Sequence, residues 1–323
     1  MKKTLIALAA LATTAAFAQS SVTLYGKANI GLQKTSGSDT RLTGGADGSD
    51  SRFGLRGSED LGGGLKANFT FESGFDPANG VADGQVLSVD PDTGAVTRRN
   101  QGLFQRQAWV GLSGGFGELR LGRQYTVSFD TSIGYMPSTY ASAQLNTGLG
   151  FNGGPSRTNG QIRYISPSFG GVKVHVATQL KANANVSDAT FSELAVAYAN
   201  GPIKAALAVS KVRDGDGTNA ALNGSYDFGS FLVGAGYIKQ ADDNRSVTGS
   251  GGKGGWIHVA GNFSGFTPYI QYATNTEADI DAIEVGVRYA LSKRTGFYLH
   301  ASRTEPDVGD KVNRVALGID HNF

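Results

Sequence analysis

Val172-Lys173-Val174-His175-Val176-Ala177-Thr178-Gln179-Leu180-Lys181 alternates between two kinds of residue. In an extended chain Val172, Val174, Val176, Thr178 and Leu180 share one face, and Lys173, His175, Ala177, Gln179 and Lys181 share the other. A period of two marks a strand whose faces meet different media. Leu65, Ala67, Phe69, Phe71 and Phe75 alternate in the same way with Lys66, Asn68, Thr70 and Glu72. So do Ile283, Val285, Val287 and Tyr289 with Glu284, Gly286 and Arg288.

Outward from these stretches, the spacing predicts sixteen strands near 22–34, 51–59, 63–75, 103–114, 117–125, 157–166, 171–181, 190–200, 202–213, 217–228, 230–241, 254–263, 266–276, 279–290, 294–304 and 312–323. Every second connection is a tight turn, such as Leu61-Gly62-Gly63, Asn200-Gly201-Pro202 or Ser264-Gly265, whereas the others include long ones at 35–50, 76–102, 126–156, 242–253 and 305–311. A soluble sandwich gives no reason for this alternation. A transmembrane β-barrel does, with minimal turns on the periplasmic side and loops outside. The strand lengths suit the roughly 9–11 residues needed to cross a bilayer at a tilt. Hydrocarbon satisfies no backbone donor or acceptor, so the sheet must close, and sixteen strands then enclose water. Tyr164, Tyr198, Phe228, Phe231, Phe263, Tyr289 and Phe323 gather at the periplasmic end, as an interfacial aromatic belt would.

Composition narrows the alternatives. The chain has 323 residues, 47 Gly and no Cys, with 40% hydrophobic and 17% charged residues, and its mean hydropathy is −0.20. Neither a helical membrane bundle nor a disordered chain has this balance, whereas a barrel averages an apolar and a polar face. Lack of Cys excludes a disulfide framework, thiol catalysis and thiolate metal sites. Lys2 and Lys3, the apolar stretch Leu5 to Ala12 and Ala16-Phe17-Ala18 read as a secretory leader over 1–18, too short to span a bilayer, leaving 19–323 as one barrel domain. Lys2 and Lys3 are the whole excess of 29 Lys and Arg over 27 Asp and Glu, so the mature chain is neutral and offers nucleic acid no electrostatic footprint.

The run Ser51-Arg52-Phe53-Gly54-Leu55-Arg56-Gly57-Ser58-Glu59-Asp60-Leu61-Gly62-Gly63-Gly64-Leu65-Lys66-Ala67 resembles a hallmark of the Gram-negative general porins, particularly their betaproteobacterial branch. Val22-Thr23-Leu24-Tyr25-Gly26, Arg106-Gln107-Ala108-Trp109-Val110-Gly111-Leu112 and Leu121-Gly122-Arg123-Gln124-Tyr125 are similar to the same family. The chain also ends in an alternating strand that closes on Phe323, similar to the signal that the outer-membrane assembly machinery reads in these proteins. The resemblance implies a homotrimeric, sixteen-stranded diffusion channel for small hydrophilic solutes and ions in the outer membrane, with its third extracellular loop folded inward and no cofactor.

On this resemblance, the constriction loop is 126–156 and the opposing wall positions are Lys27, Arg52, Arg106 and Arg163. Parity independently turns Lys27, Arg52 and Arg163 inward. Arg106 shares its face with Ala108, Val110 and Leu112, so its inward assignment rests on the resemblance. The loop has one carboxylate, Asp130, and a tip region containing Tyr135, Ser138 and Tyr140. Several wall cations facing one carboxylate predict a weakly anion-selective pore, with Glu72, Glu193, Glu284 and Asp320 as inward groups that offset it. Lys34, Arg123, Lys211, Arg213, Lys239 and Arg303 point outward near the extracellular strand ends, where they suit lipopolysaccharide phosphates; solvated strand ends or trimer contacts are the plainer readings.

Catalytic and metal motifs are absent. His175, His258, His300 and His321 show no ligand spacing, and no nucleophile elbow is present. Asp214-Gly215-Asp216-Gly217 lacks the distal Glu of a calcium loop, and Gly251-Gly252-Lys253-Gly254 lacks the residues of a phosphate loop. An adhesin or receptor acting through external loops, or a barrel enzyme, are the alternatives to a diffusion channel.

Overall fold

The computed structural model describes residues 21–82, 86–89, 96–99, 102–135, 156–180, 191–212, 217–241, 252–277, 279–307 and 309–323. The expected leader 1–18, Ser138, Tyr140 and Arg213 lie outside these residues.

Sixteen long strands form one antiparallel sheet: β1 (Ser21–Thr35), β2 (Arg52–Gly62), β3 (Leu65–Asp76), β4 (Gln107–Gly114), β5 (Gly117–Tyr125), β6 (Arg157–Ile165), β7 (Val172–Gln179), β8 (Phe191–Asn200), β9 (Ile203–Val212), β10 (Thr218–Asp227), β11 (Phe231–Lys239), β12 (Lys253–Gly261), β13 (Phe266–Asn275), β14 (Ile280–Ala290), β15 (Thr295–Pro306) and β16 (Val312–Asn322). Each predicted strand corresponds to one of them. Each pairs with its chain neighbours, and β1 pairs with β16, so the sheet closes. The seam is shared along β1: Ser21 to Lys27 lie against β2, and Lys27 to Thr35 against β16. Short strands at Arg41–Gly44, Val81–Ala82, Val86–Val89 and Val96–Arg99 decorate the connections.

Two observations explain why these residues close into a barrel. Val176, Leu194, Leu207, Leu222, Ile257, Ile270, Val285, Leu299 and Leu317 form a continuous outward band, all exposed. Water would make such a band costly, whereas lipid matches it. The inward set on the same strands is small or polar, including Ala177, Ala195, Ala208, Asn223, Gln271 and Glu284. At the tight-turn end, Tyr226 and Phe228, Phe228 and Phe231, and Phe266 and Tyr289 pack with ring centroids 4.5–4.6 Å apart. Phe228, Phe231 and Tyr289 belong to the belt expected there, and Tyr226 and Phe266 extend it.

Turn chemistry sets the short connections. Gly62, Gly63 and Gly64 take φ of 86°, 62° and 80°, so the β2–β3 turn uses three successive left-handed residues that only glycine adopts cheaply. The fourth predicted strand begins later than expected, at Gln107 instead of 103, because Gly102 has φ 84° and the chain turns before entering the sheet.

The seam depends on close approach. Gly26 N donates to Phe323 O at 3.0 Å and Phe323 N donates to Gly26 O at 3.0 Å. A Cβ on Gly26 would lie 2.3 Å from the Phe323 ring and 2.6 Å from the Arg52 carbonyl. Gly26→Val is therefore expected to strain the closing seam by about 1–3 kcal/mol. Unboiled gel electrophoresis should show the folded band lost at a lower temperature than in the parent.

Candidate functional site

The ladder registers place the charged residues on the inner wall. Lys27 pairs with Arg52 across β1 and β2, and Arg120 with Arg163 across β5 and β6, on the face opposite Leu24, Phe53, Leu121 and Tyr164. Lys27, Arg52 and Arg163 therefore point inward as their parity predicted. Arg106 does so for a different reason. It precedes β4, outside the alternation that sends Val110 and Leu112 to lipid, and its backbone N–H donates to Glu72 O at 3.2 Å.

Asp130 is the loop carboxylate and Glu72 an inward offset, as the sequence suggests; Asp47 and Asp50 add two carboxylates that it does not. Lys27 Nζ lies 3.5 Å from Asp47, and Arg106 lies 2.8 Å from Glu72 and 2.9 Å from Asp50. Arg52 lies 3.9 Å from Glu72, and Arg163 2.7 Å from Asp130. Glu72 comes from β3, and the two added carboxylates from the connection 36–51. Arg106 reaches carboxylates 34 and 56 residues away, a pairing that no local pattern reveals.

Aromatic rings complete the cluster. Tyr25 donates to Glu72 at 2.9 Å, while Arg106 and Arg157 donate to the Tyr125 hydroxyl at 3.1 and 2.9 Å. The Arg157 guanidinium also stacks 4.5 Å from the Tyr125 ring centroid, and Arg56 stacks 5.0 Å from that of Tyr25. The sequence reading omitted Arg56, Arg157, Asp47, Asp50 and Tyr125. Alternation with Leu55 signals Arg56 as inward, but Tyr125 has outward parity and turns in only where β5 ends.

Among the described residues, parts of two connections lie against the inner wall. The first is 36–51, expected to be wholly external. Ala46 is buried with Tyr298 and Ala316 on the inner wall, and Asn29 Nδ2 donates to Asp47 and, at 2.7 Å, to Ser49 O. Tyr298 donates to Asn29 Oδ1 at 2.7 Å. His300 Nε2 donates to Ala46 O at 2.9 Å while its Nδ1 faces Glu284 at 3.0 Å. Burial pushes the Asp47 carboxyl above its ordinary range, against the pull of the Lys27 ammonium and the Ser49 and Asn29 donors.

The second begins 126–156 as helix α1 (Val127–Tyr135). Thr126 Oγ1 accepts from Phe129 N at 3.3 Å as an N-cap. Glu193 on β8 accepts from Val127 N at 2.8 Å, Ser128 N at 3.1 Å and Ser128 Oγ at 2.9 Å. A carboxylate is favoured there because the helix start concentrates unpaired N–H groups and positive potential. Val127 packs on Ala177, Ala195 and Ala208, whose small side chains let the helix approach the wall. Glu193, expected to offset the wall cations, is thus engaged by the helix. Asp130 meets Arg163 in this arrangement, and Arg163 also donates to His175 Nδ1 at 2.9 Å, which makes that ring nitrogen an acceptor.

The outward cations are at strand ends. Lys211 and Lys239 are exposed, Lys34 donates to Ser38 O at 2.6 Å, Arg123 bonds Gln105 O and Asn159, and Arg303 pairs with Glu305.

Comparisons with known proteins agree with this geometry. The family profile described as Gram-negative porin matches residues 4–309. Outer membrane porin protein 32 of Delftia acidovorans is 32% identical over 92% of this chain and 88% of its own length. An outer membrane porin protein of Bordetella pertussis is 28% identical over the full length of both. The solved structure of an anion-selective porin from Comamonas acidovorans superposes with a TM-score of 0.69 at 25% identity, covering 94% of this chain and 100% of that one. A closed sixteen-stranded barrel with a lipid-matched exterior and a charged interior, joined to a family match over nearly its whole length, places this chain in the Gram-negative porin family of the outer membrane.

Proposed function

We propose that this porin passes small hydrophilic solutes and ions passively, with a weak preference for anions, and that its narrowest part lies where the segment 126–156 opposes Lys27, Arg52, Arg106 and Arg163. The arginine arrangement carries this reading. Lys27, Arg52, Arg106 and Arg163 meet four carboxylates, Asp47, Asp50, Glu72 and Asp130, while Arg157, held on Tyr125, and Arg56, held on Tyr25, add two further positive charges. A surplus of fixed positive charge in a narrow, low-dielectric passage concentrates anions and repels cations. The Comamonas acidovorans relative is described as anion-selective, which accords with it. No catalytic step is part of this reading.

The assembly is proposed to be a homotrimer, made from a chain whose leader 1–18 is removed on export and whose Phe323 serves the assembly machinery. Lys211, Arg213 and Lys239, with Arg123 and Arg303, are proposed to meet lipopolysaccharide phosphates. The exposed amino groups of Lys211 and Lys239 at the strand ends support that placement.

Purified protein in a planar bilayer under a KCl gradient should give a reversal potential of the sign set by chloride permeation. Replacing Arg52 and Arg157 together by Gln should lower the chloride-to-potassium permeability ratio by about two- to fivefold. That is the scale of the ~1 kcal/mol interaction between unit charges about 4 Å apart in water, reduced by salt. An unchanged ratio would remove these arginines from the selectivity.

The helix seat has a separate readout. Hydrogen bonds to a charged group contribute about 1.5–3 kcal/mol each. Glu193→Ala should therefore loosen α1 and show as a noisier open-channel current and closure at lower applied voltage, with the folded band on gels retained.

A further inference from the structure

We propose that the connection 36–51 is a second constriction element, and that Asp50 within it is a selectivity-determining residue that restrains the anion preference set by the arginines. This rests on the diffusion-channel reading and assigns the opposing charge to a loop that the resemblance leaves outside the pore.

Two features place Asp50 in the permeation path. First, the loop is built into the wall. Asn29 holds it through Asp47, Ser49 O and a reciprocal pair with Ser51, whose Oγ accepts from Asn29 N at 2.9 Å and donates to Asn29 O at 3.1 Å. Lys27 and His300 add an ion pair and a bond to the Ala46 carbonyl. Docking on β1 and β15 from both sides fixes the residues that follow Asp47. Second, Asp50 is the exposed member of its ion pair. Its side chain is 60% exposed, whereas that of its partner Arg106 is 5% exposed.

A solute passing this pair therefore meets the carboxylate before the guanidinium. Arg106 contributes less to the field felt by an anion than its charge alone suggests. Removing the carboxylate's charge leaves Arg106 with Glu72 and Tyr125, and the local balance turns more positive. The sequence separation of 56 residues between Asp50 and Arg106 is bridged by the β2–β3 and β3–β4 ladders, which set Arg52 beside Gly74 and Glu72 beside Gln107, with Asp50 at the docked end of the loop.

Reversal potentials of Asp50→Asn and Asp39→Asn, measured in the same KCl gradient as the parent, test this. Asp39 is an exposed carboxylate on the same loop, outside the docked part, and controls for charge at the channel mouth. Asp50→Asn should raise the chloride-to-potassium permeability ratio about twofold or more, with Asp39→Asn leaving it within error of the parent. Equal shifts from both variants, or no shift from Asp50→Asn in a protein that retains its folded band, would overturn the proposal. The outcome is separate from the general reading: a parent that prefers potassium contradicts the anion preference, yet Asp50→Asn would still have to move the ratio toward chloride.

Because the chain has no cysteine, a single Ser49→Cys reports the docking directly. Its labelling by a bulky, impermeant thiol reagent should be at least tenfold slower than that of Ser38→Cys at the loop tip. Equal labelling rates would show the loop to be undocked and would overturn the assignment.

Discussion

Backbone hydrogen bonding in hydrocarbon is the constraint from which the rest follows. Each peptide group that faces lipid has to find its partner within the protein, so the sheet has to meet itself. Here the meeting is made by β1, which divides its length between β2 and β16, with Lys27 at the crossover of the two registers. Closure then sorts the side chains within the ladders into lipid or lumen by parity, with exceptions where a strand ends, as at Tyr125. The outward aliphatic band and the inward alanines, amides and charges are two readings of the same alternation.

Once the wall is sorted, the lumen becomes an electrostatic problem. Buried cations need partners, and an unpaired one would be costly in so confined a space. The protein supplies these partners from three sources: β3 through Glu72, the connection 36–51 through Asp47 and Asp50, and α1 through Asp130. The two inward segments are held by different means. Wall side chains grip the backbone and Asp47 of the first, and Glu193 grips the helix start of the second. Each segment carries a carboxylate to an arginine, so docking and charge placement are one event.

The sixteen strands were legible because period two holds over most of each strand, broken by register shifts at Thr158/Gln161 and Asp60/Gly62, and the inward placement of Lys27, Arg52 and Arg163 followed from it. Arg106 was not legible from parity because it precedes the ladder and takes its direction from Glu72 and Asp50. Asp47 and Asp50 lie in a polar, glycine-rich connection that reads like any external loop; nothing within it points to Asn29 or His300. Helix α1 escaped notice for a related reason. Val127-Ser128-Phe129-Asp130-Thr131-Ser132 has little intrinsic helix preference, and the helix relies on the Thr126 cap and the Glu193 carboxylate of a distant strand. The alanines at 177, 195 and 208 did hold a signal, since three small inward residues side by side leave room for something to lie against them.

The seam at Gly26 and Phe323 carries a consequence for biogenesis. It joins residues from nearly opposite ends of the chain, so the loop it closes includes almost the whole protein, and its closure entropy cannot be recovered until the last strand is in hand. Up to that moment the outward band has no lipid partner and both sheet edges are open. The pairing of Phe323 with Gly26 is therefore the clasp that completes the sheet.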